Sequence, residues 1–190
     1  KITTDKFYRI NGGSVQIEGV KSDISIPNTY SFLEIGENDE KNPLSWDQID
    51  PAAYNLWNGY YNLKDVIDNG NDRIKESKLA TLINENAKWI ASKRDLKSFS
   101  LNYNSFKKSQ SNDKDFLSKF DEMKNYKNDL KFDLLVNENK SLEKSDELLE
   151  RRKKWHSNLQ SDYYLNESIN VLSNLKSKNI EVKKILAKID

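Results

Sequence analysis

The sequence predicts a mainly α-helical protein with α+β character only at its N-terminus. The architecture expected is an elongated antiparallel helical bundle of coiled-coil-like long helices behind a small N-terminal β-hairpin or sheet. Three observations predict it. Apolar residues recur every seven positions along Leu82, Trp89, Leu96 and Tyr103, and again along Leu135, Leu142, Leu149, His156 and Tyr163. That spacing makes a seam facing a neighbouring helix. Short alternating runs flank Asn11-Gly12 near the start of the chain. Finally, a mean hydropathy of -0.88 with 32% charged yet 11% aromatic residues favours thin packing over a spherical core, without implying disorder.

Residues 7–10 and 14–20 read as two strands around Asn11-Gly12, because Asn-Gly supplies the positive φ that hairpin turns need and Val15 and Ile17 alternate with Gln16 and Glu18. A lone hairpin is marginal in water, so the runs at 23–26 and 30–35 are expected to join it as a small sheet. The first 36 residues then form a β-structured segment, 37–49 a polar linker, and 50–190 a helical bundle packed as one domain.

Asp50-Pro51 is a helix-start signal, Asp as cap and Pro in the first turn. Asp68-Asn69-Gly70 is the matching stop. A second helix is expected from about residue 71 to 108, roughly 50 Å long. A turn follows at 107–113, and a third helix runs from Asp113, with a kink or break at 137–141. A last helix from about Asp162 carries Ile169, Leu172, Ile180, Ile185 and Ile189.

Thirty-one basic and thirty acidic side chains, interspersed, leave a charge of +1 and disfavour a nucleic-acid partner, which wants a basic face. No apolar run reaches the roughly 18 residues of a membrane span. No cysteine is present, so disulfides, thiolate catalysis and cysteine-ligated zinc are absent from this chain. The start at Lys1 rather than Met is read as trimming of a precursor, either an exported one with a signal or lipid-anchor segment or an expression fragment.

His156, the lone histidine, lies on the seven-residue stripe beside Trp155 and reads as packing rather than as a base or ligand. The basic run Arg151–Lys154 follows Glu147 and Glu150 at i,i+4 spacing and reads as a solvated face. Asp65, Asp68, Asp72 and Glu76 surround a Gly but miss the calcium-loop spacing. No metal or cofactor is expected, and no catalytic residue is assigned. Trp57-Asn58-Gly59 matches a W-x-G tripeptide seen in secreted helical-hairpin proteins, but it falls inside an expected helix rather than a turn and supports no family assignment.

One stretch stands out. Residues 45–61 hold Trp46, Tyr54, Trp57, Tyr60 and Tyr61. On a helix from Asp50 the last four would anchor the core, the first reading for such a cluster. The rival reading is a binding surface, since Tyr and Trp give large contact area at low entropy cost. Trp46, then Tyr60 or Tyr61, would be the ones exposed.

The function expected from these features is a non-catalytic binding or structural module presenting a helical and aromatic surface to a protein or other cell-envelope macromolecule. Its location would be extracellular, periplasmic or at the cell surface, and lipoprotein-like. Two alternatives stand beside it: an enzyme with a cleft between the aromatic helix and the N-terminal strands, and a subunit of a homo-oligomeric phage or filament assembly.

Overall fold

The computed structural model describes residues 5–57, 59–135, 138 and 145–186. It is mainly helical, and no strand occurs among the described residues. The expected break at 137–141 lies, but for Glu138, outside them.

The N-terminal hairpin is not formed. Asn11-Gly12 does turn the chain, with Gly12 at φ +81 and Arg9 N–H donating to the Gly13 carbonyl at 2.9 Å. Only isolated bridges follow, Tyr8 to Ser14 and Gly13 to Gln48. The reason lies in where the main-chain hydrogen bonds go. Ser14 N–H donates to Asp47 at 3.0 Å, and Ile49 and Ala52 donate back to Gly12 and Ile10 at 2.9 and 3.0 Å. Ile17 takes φ +62, which ends the alternation, and its N–H is held by the Glu37 carboxylate at 3.0 Å. The segment is thus tied to residues 47–52 as well as across its own turn, where Val15 N–H donates to Phe7 at 3.0 Å.

No helix starts at Asp50. Residues 51–57 run outside helix and strand, and Ala52 N–H donates to the Ile10 carbonyl. Helix α1 instead spans Leu63–Glu76 and runs straight through Asn69-Gly70. It buries Val66, Gly70 and Ile74, every fourth residue, so one face is covered. A Cβ on Gly70 would lie 2.7 Å from Ile24 Cδ1 and 3.6 Å from Val171 Cγ2. The missing side chain lets those two residues close over α1, and that packing offsets the helical cost of Gly, about 1 kcal/mol.

Ser77 ends α1 and caps α2 (Lys78–Arg94), accepting from Ala80 N–H at 3.2 Å. Helix α2 buries Ala80, Ile83 and Ala87. It stops short of the expected residue 108, because Asn102 caps a new helix, α3 (Tyr103–Ser118), by accepting from Ser105 N–H at 3.1 Å. The expected turn at 107–113 is therefore inside α3, and the seven-residue seam splits. Leu82 and Trp89 are half-buried, while Leu96 and Tyr103 are exposed. One turn, α4 (Asp121–Lys124), follows. The α3–α4 arm folds back along α2: Lys93 pairs with Asp113, Trp89 stacks on Phe116 at 6.2 Å, and Lys78 pairs with Glu122.

Residues 126–135 are not helical, against the expectation of a continuous third helix. Asn128 holds them in place. Its side-chain amide donates to Leu159 and Asp162 carbonyls at 3.0 and 3.3 Å, and its Oδ1 accepts from Leu130 N–H at 3.0 Å. The bond to Leu159, with one from Asn128 N–H to the Gln160 carbonyl at 2.7 Å, satisfies C-terminal carbonyls of α5 (Asp146–Gln160). Asn128→Ala is expected to cost about 1–3 kcal/mol by stranding these groups, read as a lowered thermal midpoint.

Helix α6 (Tyr163–Leu186) begins at Asp162, whose carboxylate accepts from Leu165 N–H at 2.9 Å. It lies antiparallel to α1, since Tyr61, Gly70 and Arg73 meet Asn179, Val171 and Glu167 in turn. Among the described residues the buried apolar ones are few: Val66, Ile74, Ala80, Ile83, Ala87 and Phe120. The accessible surface, 15420 Å², compares with about 9,400 Å² for a compact monomer of 22.2 kDa.

Candidate functional site

The aromatic run is not a core anchor. Outside helix and strand, residues 51–57 pass over the surface, and Trp46, Tyr54, Trp57, Tyr60 and Tyr61 are all exposed. From Ala53 to Trp57, and at Gly59 and Tyr60, the main chain makes no hydrogen bond to another described residue. The run is fixed at its ends only: Ala52 N–H donates to Ile10 at 3.0 Å, and Tyr61 N–H donates to Asn179 Oδ1 of α6 at 2.8 Å.

Between those ends the rings are ordered by one another. Trp57 and Tyr60 meet edge to face with centroids 4.6 Å apart, the arrangement favoured by their quadrupoles. The Trp57 ring lies so close over Gly59 that an added Cβ would sit 2.1 Å from its Cζ2. Tyr60 then forms one wall of an open groove of about 390 Å³, completed by Leu172, Leu175, Lys176, Asn179 and Ile180 of α6. Trp57, in contact with Tyr60, keeps 72% of its surface in water, and Leu172 in the groove keeps 62%. These residues make an exposed apolar strip beside α6.

The five aromatic residues named from sequence are not one cluster. Trp57 and Tyr60 touch, and Tyr61 anchors the strip. Trp46 lies with the N-terminal turn, near Gly13, and Tyr54 shares no ring contact with the others. The α6 half of the groove was missed. Leu172 and Ile180 are visible as apolar positions, but nothing in the sequence marks Asn179, whose partner is 118 residues away.

The other candidates fall into ordinary roles. His156 packs between Phe132 and Trp155, with centroids 5.9 and 5.5 Å away. Arg151 and Lys153 pair with Glu147 and Glu150, and Arg152 with Glu138. Asp68 takes the Lys64 ammonium at 2.5 Å, and among the described residues no group of three or more His, Asp or Glu converges on a point that could hold a metal. A second hollow of about 400 Å³ lies among Leu79, Ile83, Met123 and Tyr126 near the α5–α6 turn. Burial, more than any charge, raises the Tyr126 phenol above its ordinary 10.0. The aromatic strip offers rings, free amide N–H groups and free carbonyls, which together are the means of holding a polypeptide.

The model of a family described as "C-terminal domain of tail specific protease (DUF3340)" matches residues 30–177. A tail-specific protease of Haemophilus influenzae is 40% identical over 121 residues, covering 60% of this chain but 16% of the relative's own length. No solved structure matches. The likeness to a protease overturns the expectation of a non-catalytic binding or structural module, and among the described residues the cleft imagined for an enzyme lacks both its aromatic helix and its strands.

Proposed function

Because the chain belongs to the family of tail-specific protease C-terminal domains, we propose that it works as part of an enzyme that hydrolyses peptide bonds in protein substrates, selecting them by their chain termini. The observation that carries this reading is the family match over residues 30–177, which takes in the aromatic run and every helix from α1 to α5. The 40% identity to the Haemophilus influenzae protease supports it. Within such an enzyme Tyr54, Trp57, Tyr60 and Tyr61 are contact residues toward polypeptide, with Trp46 a separate contact near the N-terminal turn.

The test uses the product of the whole gene. It should cleave a folded protein carrying an unstructured C-terminal tail faster than the same protein without the tail. Trp57→Ser with Tyr60→Ser should lower kcat/KM about tenfold or more, since each exposed aromatic contact is worth about 1–2 kcal/mol. Helical circular dichroism should stay unchanged. A wild-type preparation that cleaves neither protein sinks the reading.

The partner is accordingly protein, and the place of action we propose is the cell envelope. A cysteine-free chain suits a compartment where exposed thiols are oxidised. Fractionation that leaves the enzyme wholly with cytoplasmic markers would refute that location.

A further inference from the structure

We infer that the hollow between α2, α4 and the α5–α6 turn is a subsite for a lysine side chain of a polypeptide substrate. The inference rests on the protease reading above for the source of that lysine, and it names a feature by which a substrate is held.

The hollow, of about 400 Å³, has two kinds of wall. Leu79, Ile83 and Met123 supply an apolar one, and Tyr126, Tyr163 and Tyr164 an aromatic one. The planes of Tyr126 and Tyr163 are turned 85° from each other with centroids 5.8 Å apart, and those of Tyr163 and Tyr164 by 64° at 6.1 Å. Rings so inclined make a corner rather than a stack. Their faces are negative, and a cation within about 6 Å of a centroid is attracted to them. Tyr164 is held in place by its hydroxyl, which donates to the Pro27 carbonyl at 3.0 Å.

Charge gives the sign of the guest. Among the described residues lining the hollow, Asp162 alone is charged. The chain carries 31 basic side chains, and elsewhere they cover rings: Lys93 lies 5.6 Å from the Trp89 centroid, and Lys119 4.6 Å from that of Phe116. No lysine or arginine lines the corner made by the three tyrosines. Asp162 Oδ1 accepts from Leu165 N–H at 2.9 Å, while Oδ2 accepts no hydrogen bond from a described residue. The field of this carboxylate reaches the rings: burial first, and the Asp162 charge next, raise the Tyr164 phenol above its ordinary 10.0.

Shape narrows the cation to lysine. A guanidinium pairs best with both oxygens of a carboxylate, and one of them is committed here to the first turn of α6. An ammonium is a point charge and needs only the other. The apolar wall suits the four-carbon stem behind it. The volume falls within the range of about 300–1,000 Å³ for sites that enclose a whole small molecule, so the peptide groups flanking the lysine enter with it. Asn158, exposed in the lining and with a side-chain amide bonded to no described residue, offers them a donor and an acceptor.

The experiment follows Nα-acetyl-lysine N-methylamide binding to the wild-type product of the whole gene by ligand-detected NMR. A dissociation constant of about 1 mM is expected for a ligand of this size. The norleucine analogue keeps the stem, lacks the ammonium, and should bind at least about fivefold more weakly. Asp162→Asn retains an oxygen for the α6 cap, and it should abolish that preference. Tyr163→Leu should weaken the lysine probe about threefold or more. Helical circular dichroism should stay unchanged in both variants. Equal binding of the two probes by the wild type overturns the inference, and so does a preference that survives both variants. Binding of n-butylammonium as tight as that of the lysine probe also overturns it, by assigning the hollow to a free alkylammonium. Cleavage of the tailed protein, assayed on the same preparation, reports separately on the protease reading: probe binding can fail while cleavage succeeds, and the reverse.

Discussion

Arg73→Met is expected to lower the unfolding free energy by about 3 kcal/mol, measured by urea denaturation. Arg73 stands on α1 and Glu167 on α6. Nε and Nη2 of the guanidinium both reach Glu167 Oε1, at 2.9 and 2.5 Å, and Asn170 Nδ2 donates to Oε2 at 3.3 Å. The Glu167 side chain keeps 6% of its surface in water and Arg73 keeps 32%. Removing the arginine therefore leaves a carboxylate buried without its cation, and that mechanism, rather than the loss of a surface ion pair, sets the size of the effect. The part-open guanidinium is why the low end of the range for buried pairs applies. Arg73→Met with Glu167→Leu should recover most of the loss, since no charge then remains to be desolvated. A single-variant cost under about 1 kcal/mol would show that the pair is as well solvated as an ordinary surface bridge.

Phe120→Ala is expected to cost about 3–5 kcal/mol, the range for deleting a buried aromatic ring. Phe120 is 3% exposed and meets Phe116 edge to face at 5.4 Å, and Phe116 in turn stacks on Trp89 of α2. This column of rings joins the α3–α4 arm to α2. With so few other buried apolar residues, little can collapse into the vacated space. Phe7→Ala is the control: that ring is 75% exposed, so its loss should change stability by no more than about 0.5 kcal/mol. Equal effects at the two positions would show that Phe120 is not a core residue.

The helices were legible where their signals were local. Apolar spacing around Leu79 and Ile83 located α2, and the run from Asp162 located α6, whose cap is Asp162 itself. Other signals failed for a physical reason best seen in one dipeptide. Asn11-Gly12 is a turn with positive φ, whereas Asn69-Gly70 lies in the middle of α1. The same two residues read the same way in sequence. What separates them is Ile24 and Val171, which need an empty position at 70 and are far from it along the chain. Asp50-Pro51 failed likewise: the residues after it run outside helix and strand, with Ala52 N–H bonded to the distant Ile10. The hairpin stops at isolated bridges, because Ile17 takes a positive φ and Ser14 turns its N–H to Asp47. As for the site, its aromatic half was legible from composition, since rings clustered that densely must be either core or contact. Its α6 half was not, because periodicity reports the face of one helix and is silent on which distant loop lies against it.

The crossing of Trp57 over Gly59 carries one more implication. The indole can rest where it does only while the residue two places on presents a bare Cα. The shape of the strip is therefore written at two positions, one contributing the plate and the other the shelf beneath it. A methyl group at 59 would tip the plate away from Tyr60 and unmake the surface with no aromatic residue replaced.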